Sequence, residues 1–295
     1  MRDEDLAEAV LRVIEGSDDF RLLRRLKLPA GQTGAGSLEA TRVGIAIDTE
    51  TTGLGPDDRI IELAVRRFRF DEDGVIVAID QPYSWLEDPG RPLDPDVSRL
   101  TGLVDAELAG QALDEEAAMK LLRSAEFVVA HNAGFDRKVL ERRLPQAAGL
   151  AWACSCAEVD WRAAGFEGGR SLGWLLVQIH RFHGAHRAGD DVDALIALLR
   201  HELPTGRTAL AEMLESARAP SWRFRAVGAA FDAKDALKAR GYRWDGERRC
   251  WWREVANGAR DAESEWLEVH VYSGGAGGTE TGPFVERITW RERYA

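Results

Sequence analysis

Two carboxylates stand two residues apart at the end of an apolar run. They are Asp48 and Glu50, in "VGIAIDTETTGLGPDDRIIELAV", residues 43–65. On a strand, side chains at i and i+2 point to the same side, so the pair would project together. Carboxylates that close repel unless a cation sits between them. A solvated strand end is the plainer reading of D-x-E taken alone. The following "TTGLG" supplies a tight turn that a substrate could approach closely. A second stretch, "HNAGFDRKVL", places Asp136 just inside a helix start, directly after an apolar strand. A carboxylate there is also favoured by the helix dipole alone, and His131 and Asn132 beside it read as turn formers. A third stretch, "AHRAGDDVDAL", opens a helix with Asp191, and His186 lies five residues earlier in a polar, Gly-containing loop. A histidine on such a loop is free to move and titrates near neutral pH. Asp190 reads as that helix's N-cap and Asp193 as solvent-facing.

Together these stretches offer four carboxylates and one histidine, the set that metal-assisted phosphodiester hydrolysis needs. Hard cations such as Mg²⁺ or Mn²⁺ prefer carboxylate oxygen. Two of them, about 4 Å apart, would activate a water and stabilise a leaving 3′ oxygen. A mobile histidine can take the water's proton.

The elements that must position these groups follow from the pattern of apolar residues. Residues 5–28 carry helical spacing broken at Gly16-Ser17, which predicts two short helices. "AGQTGAGS", residues 30–37, reads as a flexible connector. "RVGIAID", "RIIELAVRRFRF" and "VIVAIDQPYSWL" read as three strands, the last two joined by the turn "DEDG". A Pro-rich loop, residues 87–103, precedes a helix over roughly 114–124. "AEFVVAHN" is a fourth strand and "AGFDRKVLERRL" a helix ended by Pro145. Further helices are expected at about 171–181 and 190–201. Strands first, then alternating helix and strand, give an α/β class: a mixed sheet with helices on both faces. A linking helix between Pro204 and Pro220 leads to a compact α+β module with a helix at 232–240 between aromatic, strand-like runs. "DAESEWLEVHVY" reads as a helix leading into a strand, and "SGGAGGTETG" as a flexible loop.

Composition bounds the function classes. Of 295 residues, 45% are hydrophobic and 30% charged, as in ordinary soluble domains. No apolar run is long enough to cross a bilayer, and "MRDEDLAEAV" lacks a signal-peptide core, so a cytoplasmic protein without membrane partners is expected. Cys154, Cys156 and Cys250 are odd in number and contain no CxxC, which argues against a disulfide framework and a zinc ribbon. The C-x-C pair reads as two small core residues. The net charge of −11 does not suggest a nucleic-acid binder. Locally it reverses: residues 218–253 hold ten Lys/Arg against four Asp/Glu, interleaved with seven aromatics.

"IDTETTGL", "HNAGFD" and "HRAGDD" resemble, in order and internal spacing, the three motifs of the DEDDh 3′–5′ exonucleases. That family contains the proofreading epsilon subunit of bacterial DNA polymerase III. The resemblance covers residues 42–202 and implies a ribonuclease H-like fold that removes nucleoside monophosphates from 3′ ends. It implies Asp48, Glu50, Asp136 and Asp191 as ligands of two Mg²⁺ or Mn²⁺ ions, and His186 as general base. The tyrosine subgroup carries Tyr where this chain has Arg187, so the histidine subgroup fits. Thr51 and Leu54 match positions that meet the terminal nucleotide, and Phe135 an aromatic near its sugar. "LTGL" departs from the usual I-H-G-I. DNA 3′ ends, single-stranded or frayed, are the expected substrate. RNA is an alternative the motifs do not exclude, a non-catalytic nucleic-acid-binding scaffold is another, and a polymerase or repair partner is compatible with the resemblance.

These readings divide the chain into a helical extension and connector (1–40), an exonuclease domain (41–203), a linker helix (204–221) and a Trp/Arg-rich module with a tail (222–295). In the module, Trp222, Trp244, Trp251 and Trp252 could stack bases. Equally, they could build the core of a domain so small that it needs large side chains. Arg243, Arg248 and Arg249 are its candidate phosphate contacts.

Overall fold

The computed structural model describes residues 10–14, 16–17, 19–273 and 282–295. The chain forms two compact units, one of residues 1–216 with 294–295 and the other of residues 217–293.

The larger unit is organised by β1 (Arg42–Thr51), which pairs antiparallel with β2 (Ile60–Phe70) and parallel with β5 (Phe127–Ala130). β6 (Trp152–Cys154) extends the parallel side. On the other side β2 pairs with both β3 (Ile76–Ile79) and β4 (Tyr83–Leu86). The third expected strand is therefore two. Pro82 lies between them, and proline cannot donate to a ladder.

Strand alternation sorts the two faces of the sheet. Ile45, Ile47, Leu63, Val65 and Val128 share one core with Met119 and Leu122 of α3 (Glu115–Arg123) and Val139 and Leu140 of α4 (Ala133–Arg143). Asp48, Glu50, Glu62 and Arg66 alternate to the other face. There they meet α6 (Ala188–Leu199), which follows α5 (Leu172–Gln178). Arg66 is 2% exposed and its charge is matched: Nη1 lies 2.5 Å from Asp193 Oδ1, and Nε donates to the Asp80 carbonyl at 2.8 Å. Asp193 is thus a partner of a buried guanidinium, not a solvent-facing residue. The result is a mixed sheet with helices on both faces.

Other expectations are corrected. Within the Pro-rich loop lies α1 (Pro95–Thr101), and directly after it α2 (Asp105–Leu108). Asp94 caps α1 through Asp96 N–H at 2.8 Å, and Pro95 opens it, a start signal that the proline count obscured. Residues 10–14 are helical, but 19–28 are not: Arg24–Arg25 pair in parallel with Arg181–Phe182. The connector is anchored as well. Gly31–Gln32 add a short strand to β3, and Thr33 Oγ1 donates to the Ile76 carbonyl at 2.7 Å. Parts of the first expected helix, and residues 274–281 of the Gly-rich loop, lie outside the described residues. Among the described residues no helix is long and apolar enough to cross a membrane.

After α7 (Ala209–Arg218), the smaller unit is a four-stranded antiparallel sheet ordered β8 (Arg243–Asp245), β9 (Cys250–Ala256), β7 (Ser221–Val227), β10 (Gly282–Ile288). Phe224, Ala226, Val255 and Tyr242 pack against Leu237 of α8 (Lys234–Ala239) and Leu267 of α9 (Arg260–Leu267). After α9 the chain continues through a π-helical turn, Glu268–Tyr272, where a strand was expected. Val271 and Tyr272 pack onto the same core from that turn. Trp222 and Trp251 also pack against it. Much of the local basic excess is neutralised by acids later in the chain. Glu263 holds Arg240 and Arg253, Glu254 holds Arg223, and Glu286 holds Arg225.

Gly44, in the middle of β1, has no room for a side chain. A Cβ there would lie 2.5 Å from Phe68 Cζ and 2.8 Å from Phe127 Cζ. Gly44→Ala is expected to lower stability by about 1–3 kcal/mol through overpacking. Urea unfolding followed by circular dichroism measures this, and an unchanged midpoint would contradict the packing described.

Candidate active site

β1 runs on past its apolar core, so Asp48 and Glu50 occupy its last turns of pleat, both half-buried. Asp191 comes from the first turn of α6. One oxygen each of Asp48, Glu50 and Asp191 lies within 4.8 Å of the other two. Asp136 approaches from α4 beside them. It is 3% exposed, and its Oδ1 accepts from Thr49 N–H at 3.1 Å and Thr49 O–H at 2.8 Å. Thr49 lies between the two acids of β1 and points to the opposite face, which is how an acid from the other layer joins them.

Concentrating these charges has an electrostatic cost. Burial first, then Asp136, Asp191, Glu50 and Glu62, hold the Asp48 carboxyl well above the usual range. Burial and the charges of Asp191, Glu62 and Asp136 push Glu50 from 4.5 to about 7, against an opposing pull from Arg187. Burial also lifts Asp136 to about 7, although Thr49 opposes it. The donor set is all carboxylate oxygen, and its mutual repulsion would be relieved by a hard divalent cation. Asp48, Glu50 and Asp191 could hold such an ion, with Asp136 adjacent.

The histidines divide their work in a way the sequence did not reveal. His186 is exposed, in a left-handed backbone conformation at φ 67°, and its backbone N–H donates to Asp191 Oδ2 at 2.8 Å. It is His183, with a 6% exposed side chain, whose Nε2 lies 2.7 Å from Asp191 Oδ1. His131 is a structural tie: Nδ1 meets Ser155 Oγ at 2.8 Å and Nε2 meets the Arg170 carbonyl at 2.7 Å. Burial holds it below the ordinary imidazole value.

Glu62 is the other unanticipated member. It faces Glu50 across the β1–β2 pair and is 3% exposed. Its carboxylate accepts from Ser84 O–H at 2.9 Å, Arg187 Nε at 3.2 Å and Ala188 N–H at 3.3 Å. The N-cap of α6 is Arg187, not Asp190, and it offers no side-chain acceptor. Glu62 supplies that acceptor from the neighbouring strand, so one buried acid caps the helix carrying Asp191 and anchors the residue after His186. A lone Glu inside the apolar run "RIIELAV" was the available signal, since glutamate is rarely fully buried unless paired.

The loop after β1 is held from within. Thr52 O–H and Gly55 N–H donate to Asp58 at 2.7 Å each, and Arg91 joins them at 2.8 Å. These contacts, Thr52 first, hold the Asp58 carboxyl below its ordinary value. A Cβ on Gly53 would meet Asp58 Oδ2 at 2.6 Å, so this turn requires glycine. Thr51 is buried with its hydroxyl on the Gly53 carbonyl at 2.6 Å, whereas Leu54 is 87% exposed. Phe135 is half-buried at the start of α4, against the core. Cys154 is buried, and its Sγ accepts from Ala133 N–H at 3.4 Å; all three cysteines are free thiols. In the smaller unit Arg243 and Arg249 are exposed, while Arg248 is engaged by Asp245 of its own turn at 3.3 Å.

Residues 45–199 match the RNase_T family model, described as Exonuclease. Two curated relatives align with about a third of the chain. The DNA polymerase III PolC-type of Thermotoga petrophila is 34% identical over 111 residues, which are 37% of this chain and 8% of that protein. Exodeoxyribonuclease 10 of Escherichia coli strain K12 is 35% identical over 109 residues, 37% of this chain and 43% of that protein. The chain thus spans less than half the length of either. Among solved structures, E. coli exonuclease I in complex with a 5cy-dA13 oligonucleotide superposes with a TM-score of 0.50 at 17% identity, covering 85% of this chain and 64% of that one. Exonuclease X in complex with 5′ overhanging duplex DNA gives 0.41 at 26% identity, covering 57% and 99%.

The raised carboxylates predict a pH signature in chelator. An acid whose value is higher in the fold than in the unfolded chain binds more protons when folded, so stability falls as pH rises. For Glu50 the fall lies between about 4.5 and 7. Thermal melts in EDTA should show the midpoint dropping across that window, with a smaller drop in Glu50→Gln. A midpoint that rises there would contradict the electrostatics described.

Proposed function

Because the chain belongs to the exonuclease family, whose model spans more than half of it, we propose that it is a metal-dependent 3′–5′ exonuclease. It hydrolyses terminal phosphodiester bonds at single-stranded or frayed DNA 3′ ends and releases nucleoside monophosphates. The observation that carries this reading is the meeting of Asp48, Glu50 and Asp191 within 4.8 Å, with Asp136 buried beside them. The choice of DNA rests on the relatives, an exodeoxyribonuclease and a DNA polymerase. The polymerase match also supports a partner in replication or repair.

The four acids would hold two Mg²⁺ or Mn²⁺ ions, which when bound supply charge neutralisation at the phosphate and a more acidic water. The chain's own groups do the rest. His186, exposed on its loop, accepts the proton of the attacking water at an imidazole nitrogen. Asp191 fixes that loop through the His186 N–H, and His183 fixes Asp191. Glu62 holds the start of α6, so the acid and the histidine keep one spacing. Thr51 and Leu54 follow Glu50 in the chain and Phe135 precedes Asp136; these three would receive the terminal nucleotide, Leu54 offering its exposed side chain to the base.

Asp48→Ala should abolish hydrolysis by removing one of the acids that would hold the ions. His186→Ala should lower turnover by about 10²–10⁴-fold while leaving cation binding nearly intact. Matched DNA and RNA oligonucleotides, labelled at either end and incubated with Mg²⁺, Mn²⁺ or EDTA, give activity, polarity and sugar preference together. Undiminished digestion in EDTA, or by Asp48→Ala, would refute the mechanism; a preference for RNA would refute the substrate.

A further inference from the structure

The smaller unit carries an arrangement that the exonuclease reading does not use. Along one side of it, aromatic rings pair with ammonium groups and with one another. Phe231, 80% exposed, has the Lys234 ammonium 4.9 Å from its ring centroid. Lys238 lies one turn further along α8, on the same side of the helix. Its ammonium is 5.9 Å from the ring centroid of Trp251 on β9. Trp251 in turn meets Trp244 edge-on at 5.5 Å, and Trp244 is 53% exposed on the edge strand β8. The strip therefore reads Phe231, Lys234, Lys238, Trp251, Trp244.

Three observations say what it fits. Neither Lys234 nor Lys238 has a carboxylate partner among the described residues, unlike Arg223, Arg225, Arg240 and Arg253 of the same unit. Asp245, the acid next to Trp244, is already neutralised by Arg248 and by the backbone N–H groups of Glu247 and Arg248. The charge of the chain is also divided: residues 217–293 hold fourteen Lys/Arg against twelve Asp/Glu, a net of +2, within a chain of −11. The larger unit, carrying −13, repels a polyanion at long range. Exposed rings that accept bases by stacking, spaced by uncompensated cations, form the general recipe for holding a single strand without reading its sequence.

We propose that the Phe231–Lys234–Lys238–Trp251–Trp244 strip is a binding site for single-stranded DNA. The choice of DNA rests on the substrate proposed above, but the test is a binding measurement independent of hydrolysis. Arg243 and Arg249, exposed and without a carboxylate partner among the described residues, add charge at the edge strand and its hairpin. Phe231, Lys238 and Trp244 are exposed and Lys234 is half-buried, so substituting these leaves the core of Phe224, Leu237 and Val255 in place, whereas Trp251 packs on that core and is left unaltered.

The test uses the full chain carrying Asp48→Ala, so that the probe is not consumed, with anisotropy of a fluorescein-labelled oligothymidylate as readout. Trp244→Ala should weaken binding about tenfold, the loss of one stacked base. Lys234→Ala with Lys238→Ala should reduce the slope of log affinity against log salt by about 1.4, two phosphate contacts on a single strand. Trp244→Phe should recover most of the affinity, which separates stacking from disturbed folding. Unchanged affinity and salt slope in both variants would overturn the proposal, as would tighter binding of a matched oligouridylate. Failure of the wild-type chain to digest DNA, with the strip variants still losing affinity, would refute the exonuclease reading and leave the strip standing.

Discussion

The larger unit is arranged around an unfavourable interaction, the crowding of carboxylates at the end of β1. Asp48 and Glu50 share one side of a strand, Asp191 is within 4.8 Å of both, and Asp136 lies behind Thr49. Left alone, such a group would push apart or take up protons, and Glu50 and Asp136, raised to about 7, show the second response. What keeps the acids together is the packing of both faces of the sheet. Ile45 and Ile47 lock β1 onto α3 and α4, and the Arg66–Asp193 pair locks α6 onto the opposite side. The stability stored in the hydrophobic layers sustains a local electrostatic strain, as is common at functional sites.

Glu62 shows how the strain is managed without an opposing charge at the centre. Another acid so close to Glu50 adds to the repulsion, yet its oxygens are occupied by Ser84, Arg187 and the Ala188 N–H. It therefore acts as a cap and tether for α6, while Arg187 offsets part of the charge felt by Glu50. The position that carries tyrosine in a related subgroup is here the arginine of this tether. The loop bearing His186 is thus fixed at both sides, through Asp191 and through Arg187, while the imidazole itself stays exposed.

Much of this was legible in the sequence because it is local. Alternation in "RVGIAIDTET" placed two acids on one side of a strand, and helix-start patterns placed Asp136 and Asp191 at the beginnings of α4 and α6. Pairing across the sheet was not legible. Nothing within "RIIELAV" says that Glu62 will sit opposite Glu50, or that His183, three residues before His186, will hold Asp191. Likewise "VIVAIDQPYSWL" has strand composition throughout, and only Pro82 hints that it makes two strands on one partner. In the smaller unit, composition showed cations among aromatics, but which cations remain uncompensated depends on Glu254, Glu263 and Glu286, distant in the chain.

The central claim is that the carboxylate cluster is a divalent-cation site whose protons must leave when the ion arrives. Isothermal titration of Mn²⁺, run in buffers of different ionisation enthalpy, measures this directly. Below pH 7 each binding event should release protons, fewer as pH rises past the values near 7 of Glu50 and Asp136, and Asp48→Asn should remove the binding. Absence of binding heat in every buffer, or saturable binding with no protons released at any pH, would contradict the account.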